Sequence, residues 1–157
     1  MVRISYVSKV AEDFGITELG NILRVSQLNN RQDDITGMLI YHHDTVLQIL
    51  EGPEENVRKC YNRIRLDPRH SNIQPLDKRP VNNRAFTDWS MGIADLEDFH
   101  TLPSVTLHSF SEIMARLTVA KDLQTLPPNT HHVISTIGDF IGSLNIETAT
   151  NGASSAL

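Results

Sequence analysis

The 157-residue chain has one cysteine, Cys60. A lone thiol closes no internal disulfide, so a disulfide-stapled secreted scaffold is excluded and a reducing, cytoplasmic setting is expected. Long apolar runs are missing too: no stretch approaches the roughly 20 residues that a membrane-spanning helix needs. Basic charge is not in excess. Fourteen Lys and Arg stand against 19 Asp and Glu, a formal net charge of −5 with both signs interspersed. A phosphate-binding domain needs a basic face, so direct nucleic-acid binding is not expected. There is no G-x-G-x-x-G loop, internal repeat or low-complexity tract. The start, Met1-Val2-Arg3-Ile4-Ser5-Tyr6, enters strand-like sequence directly, without the basic and then apolar segments of a signal peptide.

What is present is an ordinary globular composition, 39% hydrophobic, in a chain long enough for one domain with a core. Residues 2–8 read as a strand with Ile4, Tyr6 and Ser8 on one face. A helix follows, entered near Thr17 as its N-cap, with Leu19, Leu23, Ser26 and Asn30 at helical spacing. Thr36–Tyr41 and Thr45–Glu51 read as a hairpin turning at His42-His43-Asp44. Pro53 at a first helical position opens a second helix carrying Val57, Cys60, Tyr61 and Ile64, which stops before Pro68. Residues 72–81 and 85–94 are two further strands. The order predicts an α+β fold, a ferredoxin-like βαββαββ sheet with two helices on one face. Two C-terminal helices are expected over Val105–Leu126 and His131–Leu144, covering either the bare sheet face or a partner. The organisation read from this is a core over residues 1–95, a helical segment over 96–145 and a disordered tail over 146–157.

Gln48 is the anomaly. It sits inside Thr45-Val46-Leu47-Gln48-Ile49-Leu50-Glu51, a run that otherwise reads as buried on both faces. A buried amide without partners costs about 1–3 kcal/mol, so something polar is expected to face it. In the expected fold Tyr6 lies on the neighbouring strand, Asn30 ends the first helix, and Arg63, Asp67, Arg69 and His70 gather at the end of the second. Together they frame a slot suited to a flat, amide-bearing heterocycle. Each has a plainer reading. Tyr6 can be a core tyrosine, Asn30 a helix C-cap, Arg63 to His70 a solvated helix end, and Trp89 and Met91 packing residues. Adjacent histidines on a strand diverge, so no metal site is expected, and Cys60 reads as an inert core thiol.

These residues resemble the BLUF domain, a blue-light sensor module that binds a flavin non-covalently. The likeness runs through Tyr6, Asn29-Asn30, Ile35-Thr36-Gly37-Met38-Leu39, Gln48-Ile49-Leu50-Glu51-Gly52, Arg63-Ile64, Asp67-Pro68-Arg69-His70 and Trp89-Ser90-Met91, over about residues 2–95. The resemblance implies a flavin ring between the two helices. FAD is implied, with FMN or riboflavin as other choices. Asn29, Asn30, Arg63, Asp67, Arg69 and His70 would contact it, and Ile22 and Ser26 would line the slot. Light would draw an electron and then a proton from Tyr6. Gln48 would then rotate or tautomerise, leaving a red-shifted, still oxidised flavin. Trp89 and Met91 would relay the change to the C-terminal helices.

The resemblance implies a sensor rather than an enzyme, acting through light-dependent contact with another protein and as a homo-oligomer. No cyclase, phosphodiesterase or DNA-binding domain is read in the roughly 60 remaining residues, too few for one on usual domain sizes. Three alternatives stand beside it: an acylphosphatase-like enzyme, a flavin oxidoreductase, and an interaction module with an empty slot. The first needs an arginine-bearing anion cradle after the first strand, where Lys9, Glu12 and Asp13 stand instead.

Overall fold

The seven residues from Val46 to Gly52 are all buried, which only a central strand covered on both faces allows. In the computed structural model, which describes residues 1–11, 14–87, 91–95 and 128–152, that strand is β3 (Thr45–Gly52). Around it stand β1 (Val2–Val10), α1 (Ile16–Gln32), β2 (Thr36–His42), α2 (Glu54–Arg65), β4 (His70–Pro80), β5 (Gly92–Asp95) and α3 (Pro128–Gly152). The strand order is β4-β1-β3-β2-β5, antiparallel except that β5 joins β2 in parallel, with Gly92 opposite Met38. This is the expected α+β ferredoxin-like sheet with a fifth strand added. At Gly37 a β-carbon would lie 2.1 Å from the Ile49 carbonyl oxygen, so only glycine lets β2 close on β3 there.

Alternation along the strands separates two cores. On one face Ile4, Tyr6, Leu39, Val46 and Leu50 pack under Leu19 and Leu23 of α1 and Val57 and Cys60 of α2. On the other, Met38, Ile40, Leu47 and Ile49 pack with Phe86 under Val133, Ile137, Phe140 and Leu144 of α3. The apolar stripe of the C-terminal helix therefore covers the sheet face that α1 and α2 leave bare.

Several boundaries differ from the sequence reading, each for a local reason. The N-cap of α1 is Gly15, not Thr17, because Glu18 reaches back and accepts the Gly15 N–H at 3.1 Å. Pro53 is the N-cap of α2 rather than its first helical residue. Asn30 is no C-cap: α1 runs two residues further and Asp33 caps it. β4 begins at His70 and β5 only at Gly92, not at 85. α3 begins at Pro128 and continues to Gly152, through 146–152, which the sequence reading had assigned to a tail. Between Leu144 and Gly152 the sequence holds no helix breaker, and glycine is a common stop. The helix expected over Val105–Leu126 lies outside the described residues, as do 153–157.

Candidate functional site

Antiparallel pairing sets Tyr6 of β1 opposite Gln48 of β3, with both side chains on the α1/α2 face. Tyr6 is fully buried and Gln48 nearly so. The Tyr6 hydroxyl donates to Gln48 Oε1, and Gln48 Nε2 donates to Met91 Sδ at 3.6 Å. Burial pushes the Tyr6 phenol well above its ordinary pKa, and the nearby Cys60, Tyr61 and Asp67 push the same way. Tyr6 therefore keeps its proton as a donor. A thioether has no proton to give, so Met91 accepts only. This pair of partners fixes which way the amide points: turned over, Oε1 would face a sulfur that cannot donate to it.

The residues packed around these three groups come from α1 and α2. Asn30 is buried at the end of α1, where its Oδ1 accepts the Cys60 thiol at 3.8 Å and its carbonyl accepts the Ile35 N–H at 2.7 Å. Cys60 is thus a buried residue with a polar contact, its thiol pushed up by burial. Ile22 and Ser26 are half-buried on the same helix, whereas Asn29 is exposed, a helical step of about 100° away from Asn30. From α2, the Tyr61 ring packs 5.3 Å from that of Tyr6.

The group at the end of α2 is divided among partners. Arg63, largely exposed, pairs with Asp33 at 3.1 Å and so ties α2 to the end of α1. Asn56 makes a second tie, donating to the Asp33 carbonyl at 2.7 Å. Arg69 Nε donates to Asp67 at 2.9 Å, and that bond holds the Asp67 carboxyl below its usual range. His70 Nδ1 lies 3.0 Å from the Ser8 hydroxyl, and burial pushes its imidazole down. The structure thus brings Tyr6, Gln48, Asn30 and Met91 together in the core. Arg63, Asp67, Arg69 and His70 lie from the end of α2 to the start of β4, held by the partners just named, and Asn29 is exposed. Trp89 lies outside the described residues.

Three residues escaped the sequence reading as participants. Gln27 of α1 donates to the Met91 carbonyl at 3.1 Å. It sits one helical turn after buried Leu23, so its place on the inner flank was the available signal. Tyr61 was read only as part of an apolar stripe. In the sequence Glu51 is the end of a strand and a member of the Gln48-to-Gly52 motif with no role of its own, yet its side chain is fully buried on the α3 face. It accepts from Arg3 Nε at 2.7 Å and from the main-chain N–H groups of Ala85 at 2.9 Å and Phe86 at 3.2 Å. Those two N–H groups are therefore taken by a side chain and give nothing to a β-ladder. The reading of His42 and His43 also needs correction. Their rings stand 4.2 Å apart, because His43, with φ of 53°, has left the strand geometry that would make neighbours diverge.

The donor set suits a flavin. Two buried amides are present, Asn30 near the end of α1 and Gln48 on the sheet face that α1 and α2 cover, and an amide matches the alternating donors and acceptors of a heterocycle edge without net charge. A cavity of about 530 Å³ lies elsewhere, against β4, lined by Ile4, Arg58, Tyr61, Ile73, Pro75 and Leu76 among others.

Comparison with known proteins agrees with this geometry. The family model described as BLUF, sensors of blue-light using FAD, matches residues 1–92. Photoactivated adenylate cyclase subunit beta of Euglena gracilis is 28% identical over 132 residues, 83% of this chain and 15% of that protein. The blue light- and temperature-regulated antirepressor BluF of Escherichia coli K12 is 34% identical over 98 residues, 61% of this chain and 24% of that protein. The structure of Klebsiella pneumoniae BlrP1 with FMN and cyclic diGMP aligns with a TM-score of 0.59 and 30% identity, covering 62% of this chain and 26% of that one. The chain thus spans a quarter or less of the length of these two curated relatives. With the model matched over more than half its residues, the chain belongs to the BLUF family of flavin-using blue-light sensors.

Proposed function

We propose that this chain senses blue light through a flavin held between α1 and α2 and reports it by rearranging the Gln48 amide. The observation that carries this reading is the buried sequence Tyr6 hydroxyl, Gln48 amide, Met91 thioether, in which the amide has one donor, one weak acceptor and a fixed direction. Asn30 and Gln48 would hold the ring, with Ile22 and Ser26 as walls, and Arg63, Asp67, Arg69 and His70 at the rim. A flavin, when bound, supplies the blue absorption and an excited state that accepts an electron.

The remaining steps belong to the protein. Tyr6, buried, protonated and donating to Gln48, would supply the electron and the Oη proton that an excited flavin takes up and later returns. While that proton is away, Gln48 Oε1 has lost its donor and the amide is free to turn or to tautomerise. Once Tyr6 has its proton back, the turned amide has exchanged its partners: Nε2 faces the Tyr6 oxygen and Oε1 faces the Met91 sulfur, which cannot donate. That arrangement is the less stable one on the protein side. It relaxes in darkness, which makes Gln48 a two-state element. Loss of the bond to Met91 Sδ carries the change to the start of β5.

FAD is the proposed flavin on the family's description, and FMN stands as the alternative because the BlrP1 structure names it. The relatives are an antirepressor and cyclase subunits, which supports an output by protein contact rather than catalysis by these residues. We extend this to a homo-oligomer in the cytoplasm. No helix among the described residues is long and apolar enough to cross a membrane. The test is an absorption spectrum of the flavin-loaded protein in darkness and under blue light. A small red shift that reverses in darkness is expected. Bleaching would point to a redox enzyme instead, and failure to take up any flavin would overturn the reading.

A further inference from the structure

We propose that Gln27 is a positioning residue that latches Met91 against Gln48 and thereby sets how fast the light-adapted arrangement returns to the dark one. The inference rests on the light-sensing reading above and adds a residue to it. Met91 is buried and is held from two directions by two amides. Gln48 Nε2 donates to its sulfur at 3.6 Å, and Gln27 Nε2 donates to its carbonyl oxygen at 3.1 Å. The two amides come from different layers, the central strand and the helix packed over it. Met91 itself precedes the β5 ladder, which begins at Gly92 opposite Met38 and is only four residues long. The sheet therefore secures β5 only after Met91, and the main-chain bond from Gln27 fixes the residue at that boundary.

The consequence follows from the geometry. A contact to sulfur is weak, so it biases Gln48 only if the sulfur is already in place when the amide turns back. Gln27 supplies that placement from a helix, through the main chain, without touching Gln48. Removing its donor leaves Met91 to find Gln48 by itself, and dark return slows.

Gln27→Leu and Gln27→Met keep the apolar bulk of the side chain and lack the donor. In both flavin-loaded variants dark recovery is expected to be about three- to tenfold slower than in the wild type, the effect that loss of one ordinary hydrogen bond has on a rate. In a Met91→Leu background, where there is no sulfur to position, Gln27→Leu should add no further slowing. Thermal stability should move little, which separates positioning from general support. In the dark, amide hydrogen exchange over 92–95 should quicken in Gln27→Leu. Recovery unchanged in both variants, or equal slowing with and without the Met91 sulfur, would overturn the latch. If the wild type shows no light-induced shift, the sensing reading fails, and exchange over 92–95 alone decides: quickened supports the latch, unchanged overturns it.

Discussion

Two buried polar side chains stand three residues apart on β3 and face opposite ways. Gln48 points into the α1/α2 layer and Glu51 into the α3 layer. Both interrupt an apolar strand, and both would be costly without partners. The partners differ in kind. Glu51 is a charge met by a guanidinium and two main-chain N–H groups, a set it cannot exchange without leaving a charge buried. Gln48 is a neutral amide with one hydroxyl and one thioether, both replaceable at small cost. A strand with one saturated site and one loosely matched site has a fixed side and a responsive side. The same sheet serves as scaffold through one residue and as switch through the other.

The comparison breaks most sharply at Glu51. Glu51→Leu removes the carboxylate that pairs with Arg3, which is almost wholly buried, and that accepts the N–H groups of Ala85 and Phe86. A loss of about 3–5 kcal/mol is expected in denaturant unfolding, and Arg3→Met on top should restore much of it. Next is the apolar side of the α3 layer. Ile137 is fully buried, so Ile137→Ala should cost about 2–4 kcal/mol while leaving the dark flavin spectrum as it was. On the responsive side the stability cost shrinks and the functional cost grows. Tyr6→Phe removes one donor from Gln48 Oε1, about 1–2 kcal/mol, and should abolish the reversible red shift.

The smallest effect is one of pH. Burial holds the His70 imidazole below its usual value of 6.5, so the unfolded chain takes up this proton at a higher pH than the folded one. Stability therefore falls as pH drops from about 6.5 through the lowered folded value, and is unaffected by this group above that. His70→Gln should flatten the fall in a series of thermal melts. Asp44 and Asp67, held low by Lys9 and Arg69, act only in the acidic range below about 3.8, so the two windows separate.

The difference between the two sites also explains what sequence reveals. Gln48 was legible because a single amide in a doubly buried strand contradicts its surroundings, and Tyr6 followed from counting along adjacent strands. The βαββ core and the α3 stripe were legible for the same reason: period 2 and period 3.6 are local patterns. Glu51 was not legible, because its partners are Arg3, 48 residues away, and two main-chain N–H groups that no side-chain pattern marks. The fifth strand, which alternation at Trp89, Met91 and Ile93 extends back to 85, pairs only over Gly92–Asp95, and the Ala85 and Phe86 N–H groups go to Glu51 instead. Gln27 escaped because a half-buried glutamine on a helix flank is common, and its partner is again a carbonyl. The cap expected at Thr17 turned on one reaching side chain, Glu18, and the plainer reading of Asn30 as a C-cap on a main-chain bond from Asp33 to Asn29, neither of which spacing encodes.

The measurement that tests the account most directly is the light-minus-dark spectrum of flavin-loaded Gln48→Leu beside that of the wild type. A reversible red shift is expected in the wild type and none in the variant, with flavin still bound. A red shift that persists in Gln48→Leu would contradict it, because the responsive side of β3 would then not be the switch.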